Sequence, residues 1–120
     1  MAETEEISGC VRPYQPLDDG WLRNFYGDTL YPTAVEENLN DCLAAVTPEA
    51  IVKAWPAIRE IIAEIPTEAE IFEKFEKLGA KRCLSDLEVP EELLPVLIAH
   101  SPTVRNRLTL MRVRRMLDLS

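Results

Sequence analysis

Ser101–Leu117 reads SPTVRNRLTLMRVRRML, with apolar residues at helical spacing threaded among five arginines. Wound as a helix, it sets Val104, Leu108, Leu110, Met111, Val113 and Met116 on one broad apolar face. Arg107, Arg112, Arg114 and Arg115 spread to its flanks. A terminal helix this apolar is expected to dock into a core, so the upstream segments read as helices packed against it.

Pro102 separates this stretch from PEELLPVLIAHS, which begins at Pro90. Leu93, Leu94, Val96, Leu97 and Ile98 are apolar nearly all round, which predicts a central, buried helix with Pro95 near its start. Ala80–Val89 reads as a linker anchored by Leu84 and Leu87. Before it, Thr67 with Glu70 fits a capping box, Ile71, Phe72, Phe75 and Leu78 supply a buried face, and Gly79 closes the helix. Thr47-Pro48-Glu49 is another start signal: a capping hydroxyl, a proline at the first helical position and an acid in the first turn. The helix it opens runs toward Ile65, with a kink or break expected near Trp55 because Pro56 removes a backbone donor.

Val35, Leu39, Cys42, Leu43 and Val46 recur at helical spacing and predict one more helix after Pro32 and Thr33. Trp21–Tyr31 concentrates aromatics and suggests a short helical turn anchored by Trp21 and Phe25 and broken at Gly27. Residues 1–30 read as an extended or partly ordered lead-in and 31–120 as the helical domain. Nothing shows a sustained strand pattern. The fold class that follows is all-α, a helical bundle with short Pro- and Gly-punctuated connections.

Composition narrows the classes of function. With 120 residues, 47% of them hydrophobic, the chain can bury one core. No apolar run approaches the roughly 20 residues of a membrane span, and the acidic start MAETEE is the opposite of a secretory n-region. A cytoplasmic protein without a membrane partner is expected. Cys10, Cys42 and Cys83 form an odd set without CxxC spacing, which points to free thiols instead of a disulfide or zinc framework. The net charge of -8 is uneven: up to Glu70 the only bases are Arg12, Arg23, Lys53 and Arg59, whereas from Ser101 five arginines face Asp118. An acidic pI near 4.7 and the lack of aromatics among those arginines argue against nucleic acid. They are expected to pair with acids of the same fold.

The order helix, Leu78-Gly79-Ala80, short linker, helix, then Val104-Arg105, Arg107, Thr109 and Leu110 resembles the C-terminal end of sn-glycerol-1-phosphate dehydrogenases. These belong to the iron-containing alcohol dehydrogenase and dehydroquinate synthase-like superfamily. The resemblance covers about the last fifty residues and implies a helical domain of an enzyme that reduces dihydroxyacetone phosphate with NAD(P) and a divalent metal. It also implies a partner, a dinucleotide-binding domain or subunit of the same enzyme, with a homo-oligomer as a further arrangement.

This chain departs from that family where its chemistry would sit. It has no glycine-rich dinucleotide turn. The family's metal is held by an aspartate and two histidines, and this sequence has one histidine, His100, read as a helix-end residue donating to a carbonyl or water. No Ser-His-Asp set or ligand cluster is present, so the residues nominate no catalytic, cofactor-binding or metal-ligating position. Two expectations result: a C-terminal helical domain or subunit of such an oxidoreductase, not catalytic by itself, or a free-standing helical protein–protein interaction module.

Overall fold

The computed structural model describes residues 4–119, and its regular structure is helical: α1 (Asp19–Glu37), α2 (Pro48–Ala63), α3 (Glu68–Leu78), α4 (Leu94–His100) and α5 (Leu110–Val113). Short 3-10 turns cover Ser85–Leu87, Glu91–Leu93, Ser101–Thr103 and Arg114–Met116. The described residues contain no strand, only a single antiparallel bridge between Val11 and Leu117. The fold is all-α.

Local signals place the helix ends. Asp18 caps α1 by accepting from the Trp21 amide at 2.7 Å. Gly27, at φ 69 and ψ 168, interrupts that helix, a backbone geometry a side chain would strain. Thr47 caps α2 and Pro48 occupies its first turn. The helix then continues through Pro56, so the expected break near Trp55 does not occur. Buried Trp55 and Ile51 pin the preceding turns to the core, and the Trp55 indole donates to the Thr4 carbonyl at 3.0 Å. α3 carries the full capping box, with Thr67 and Glu70 bonded reciprocally. Its C-terminus closes on left-handed Gly79, with Gly79 N–H bonded to Glu76 and Ala80 N–H to Phe75.

Three expectations are corrected. The helix predicted across Val35–Val46 ends at Glu37, because Asn38 and Asp41 turn their side chains onto nearby backbone: Asn38 Nδ2 donates to the Ala34 carbonyl and Asp41 accepts from Leu43 N–H. Leu39 is consequently 74% exposed. Ser101–Leu117 is not one helix. It is a 3-10 turn, an irregular stretch, the single turn of α5 and a second 3-10 turn. Thr109 starts α5 afresh by accepting from Arg112 N–H, and Val104, Leu108 and Met111 remain exposed. Finally, the faces expected to be buried on α3 and α4 are only partly covered, with Leu97 and Ile98 half-buried. Leu78 is 79% exposed, Ile71, Phe72 and Phe75 are each exposed by more than a third, and so are Leu93, Leu94 and Val96.

The core joins the first half of the chain to its C-terminal segment. Leu43, Ile51, Val113 and Met116 form a buried cluster with Val11, Tyr14, Val46 and Leu117 against it, and Ile7 is buried as well. Arg12 N–H donates to the Met116 carbonyl and Asp118 N–H to the Cys10 carbonyl, both at 2.7 Å, tying the extended N-terminal segment to the C-terminal one. No residue from Pro56 to Ala99 is buried.

Candidate functional site

The densest polar constellation centres on Asp41, in the turn after α1, and Arg112, on α5. Arg112 is expected on a helix flank but lies in the interior, its side chain 0% exposed. The restart at Thr109 aims it inward, across 71 residues of sequence, at Asp41, whose side chain is 6% exposed. Asn106 clamps the approach: its backbone N–H donates to Glu37, its side-chain amide donates to the Asn40 carbonyl, and its Oδ1 accepts from Cys42 N–H.

All five guanidinium N–H groups of Arg112 have an acceptor. Nε and one Nη2 hydrogen go to Asp41 Oδ1, the other Nη2 hydrogen to Asn38 Oδ1 at 2.6 Å, and the Nη1 pair to the carbonyls of Pro102 and Arg105. Asp41 Oδ2 accepts from Arg115 Nη1 at 2.9 Å and from the Tyr14 hydroxyl at 3.2 Å. Burial pushes the Asp41 pKa up, but the hydrogen bonds from Arg115, Leu43 N–H and Arg112 outweigh it, leaving it below the ordinary carboxylate value. Tyr14 moves the other way, raised by burial and then by the negative charge of Asp41. With every donor and both carboxylate oxygens engaged, this group is chemically saturated. It holds the turns together.

The network extends toward His100. Asn38 Nδ2 donates to the Thr103 carbonyl, Thr103 Oγ1 donates to the His100 carbonyl at 2.6 Å, and the Tyr26 hydroxyl therefore donates to Thr103 Oγ1. The His100 ring stacks on Trp21 and Phe25, with centroids 3.3 and 4.4 Å away. Its Nδ1 lies 2.7 Å from the Val96 carbonyl, which can only accept. Nδ1 thus carries the proton, as expected for a helix-end histidine. Beside this aromatic group runs a groove of about 300 Å³, lined by Tyr14, Leu17, Trp21, Met111, Arg114 and Arg115 among others. Among the described residues no three His, Cys, Asp or Glu side chains converge as a metal site, and Cys10, Cys42 and Cys83 are free.

Of the five C-terminal arginines, Arg112 and Arg115 pair within the fold, both with Asp41, while Arg12 of the N-terminal segment pairs with Asp118. Residues of the family-like motif have local roles: Thr109 caps α5, the Arg105 carbonyl receives Arg112, and Gly79 ends α3. Sequence reading missed Asp41, Asn38 and Tyr14. The turn-forming Asn-Leu-Asn-Asp run and the threonine three residues before Arg112 were the signals available. Comparison with family models, curated proteins and solved structures finds no match to this chain.

Proposed function

We propose that this chain is a helical assembly module whose working surface is the open apolar face of its middle section, and that it is not catalytic by itself. One observation carries the reading. α3 is capped at both ends and strongly amphipathic, yet it has no buried residue. A helix of 11 residues is marginal alone in water, where stability comes mostly from burying an apolar face. Ile71, Phe72, Phe75 and Leu78 thus form the face that another polypeptide covers.

Global dimensions support this. The accessible surface is 8684 Å², against about 6,600 Å² for a compact monomer of the same mass. The radius of gyration is 16.4 Å where about 13.6 Å fits a compact chain of this length. The exposed middle section contributes to the excess surface. Three free cysteines and the acidic surface favour a cytoplasmic setting, and no helix among the described residues is long and apolar enough to cross a membrane.

A second reading is favoured by the tail motif: the covering polypeptide is the dinucleotide-binding part of a glycerol-1-phosphate dehydrogenase-like oxidoreductase, which would hold NAD(P) and the metal. Placing a photo-crosslinking residue at Phe75 in cells tests the assembly reading. The expected result is an adduct with a discrete polypeptide, and the absence of any such adduct refutes it.

A further inference from the structure

The segment between Val11 and α1 reads Arg12-Pro13-Tyr14-Gln15-Pro16-Leu17, with two prolines three residues apart. Each proline fixes its own φ at about −65° and pushes the residue before it, Arg12 or Gln15, out of the helical region into extended backbone. The bridge at Val11 stops there, because Pro13 has no N–H to continue a ladder. Residues 12–18 form no regular secondary structure and no hydrogen bond among themselves. Asp18, at φ -74 and ψ 125, ends the stretch close to the polyproline-II angles of about −75° and +145°.

Burial follows the same geometry. Val11, Tyr14 and Leu17 are half-buried and both residues between each pair are exposed, a period of three that matches one polyproline-II turn. Pro13 and Pro16 therefore stand one turn apart, roughly 9 Å, on one outward edge. The inner edge is fastened to the fold: Arg12 N–H donates to the Met116 carbonyl at 2.7 Å, the Tyr14 hydroxyl to Asp41 at 3.2 Å and Arg115 Nη2 to the Gln15 carbonyl at 3.0 Å. The carbonyls of Pro13 and Pro16, by contrast, accept no hydrogen bond among the described residues. Tyr14, Pro16 and Leu17 also border two grooves, the one of about 300 Å³ that reaches Trp21 and Met111 and another of about 550 Å³ that reaches Val35 and Leu39.

An outward proline edge with free carbonyls is matched by a groove of aromatic rings that pack on the pyrrolidines, with an indole N–H or phenol O–H to reach the carbonyls. A segment already held in that conformation binds with little ordering cost. We infer that residues 12–17 are a polyproline-II docking ridge that seats Pro13 and Pro16 in an aromatic-lined groove of a partner protein, a second contact surface independent of α3.

A photo-crosslinking residue at exposed Gln15, placed in the full chain in cells, tests the inference. The expected adduct is with a polypeptide that, once purified, binds both the full chain and decaproline. Its own tryptophan or tyrosine fluorescence should change in each titration, and decaproline should displace the chain. Pro13→Ala combined with Pro16→Ala should weaken the binding roughly tenfold or more, since the anchoring rings are gone. The urea midpoint of that double variant should match the parent's, because both rings are exposed. The absence of an adduct overturns the inference, as does a captured polypeptide indifferent to decaproline or a folded double variant that binds as tightly as the parent. If the double variant does not fold, displacement of the parent chain by decaproline decides alone. A polypeptide captured from Phe75 and not from Gln15 overturns the docking ridge and leaves the α3 reading standing.

Discussion

Asp41→Asn removes one negative charge from the point where two arginines and two further hydrogen-bonded groups meet. In the parent, the carboxylate accepts from Arg112 twice, from Arg115, from Leu43 N–H and from the Tyr14 hydroxyl. The asparagine keeps one acceptor oxygen and turns an NH2 group toward donors. Arg112, 0% exposed at its side chain, then stays charged with only Asn38 and two carbonyls around it. Breaking a buried ion pair from one side costs about 3–5 kcal/mol, a large share of the roughly 5–15 kcal/mol of a small domain. At a urea slope of about 1.5 kcal/mol per molar, the unfolding midpoint should fall by about 2–3 M, or the variant should unfold in buffer. Trp21 and Trp55 lie in different parts of the fold and report the transition by fluorescence. Arg115→Gln is the control. Its side chain is 18% exposed, and Arg112 continues to neutralise Asp41, so the loss should be near 1 kcal/mol. If Asp41→Asn unfolds within 1 kcal/mol of the parent, or Arg115→Gln costs more, the node is not what holds the two ends together.

Because folding lowers the Asp41 pKa, its stabilising contribution is complete above the unfolded value, about 3.9, and disappears as pH falls through the folded value. Urea titrations of the parent below about pH 4 should therefore show a steeper loss of stability than those of an Asp41→Asn variant that still folds. Thr67→Ala should weaken α3 by about 1 kcal/mol. Hydrogen exchange should show faster α3 amides in the variant, with the tryptophan-monitored midpoint unchanged because that helix has no core residue. Deleting residues 103–120 removes Thr103, Arg112, Val113 and Met116, all buried, and should abolish cooperative unfolding. A truncated chain that melts like the parent would show that the C-terminal segment is an appendage.

Local chemistry was legible in the sequence and distant pairing was not. Thr47, Thr67 and Gly79 act within four residues of themselves, so their types at their spacings already determine the caps. Arg112 is different. Its place depends on Asp41, 71 residues earlier, and the apolar periodicity around it equally suits a continuous helix. A continuous helix would keep the Pro102 and Arg105 carbonyls in its own ladder, whereas the irregular turn frees them to receive the guanidinium. The α3 pattern was also read correctly as an amphipathic helix. Periodicity identifies the face that has to be buried without identifying the molecule that buries it, and here the core of this chain does not.

The saturated node and the open middle section bear on each other. A ligand arriving at Asp41 would have to displace Arg112, Arg115 or Tyr14 and so release the contacts joining the first and last segments of the fold. Binding there would carry the cost of undoing the core, several kcal/mol for the buried pair alone. The α3 face carries no such cost. Its capped backbone is already ordered and its apolar residues are partly exposed, Leu78 most of all, so a partner gains the burial of that remaining surface without first breaking the Asp41 node. This difference in cost supports the proposal that the exposed helix, and not the buried pair, is where this chain meets another molecule. It leaves the Asp41–Arg112 pair the task of holding rigid the core from which that helix projects.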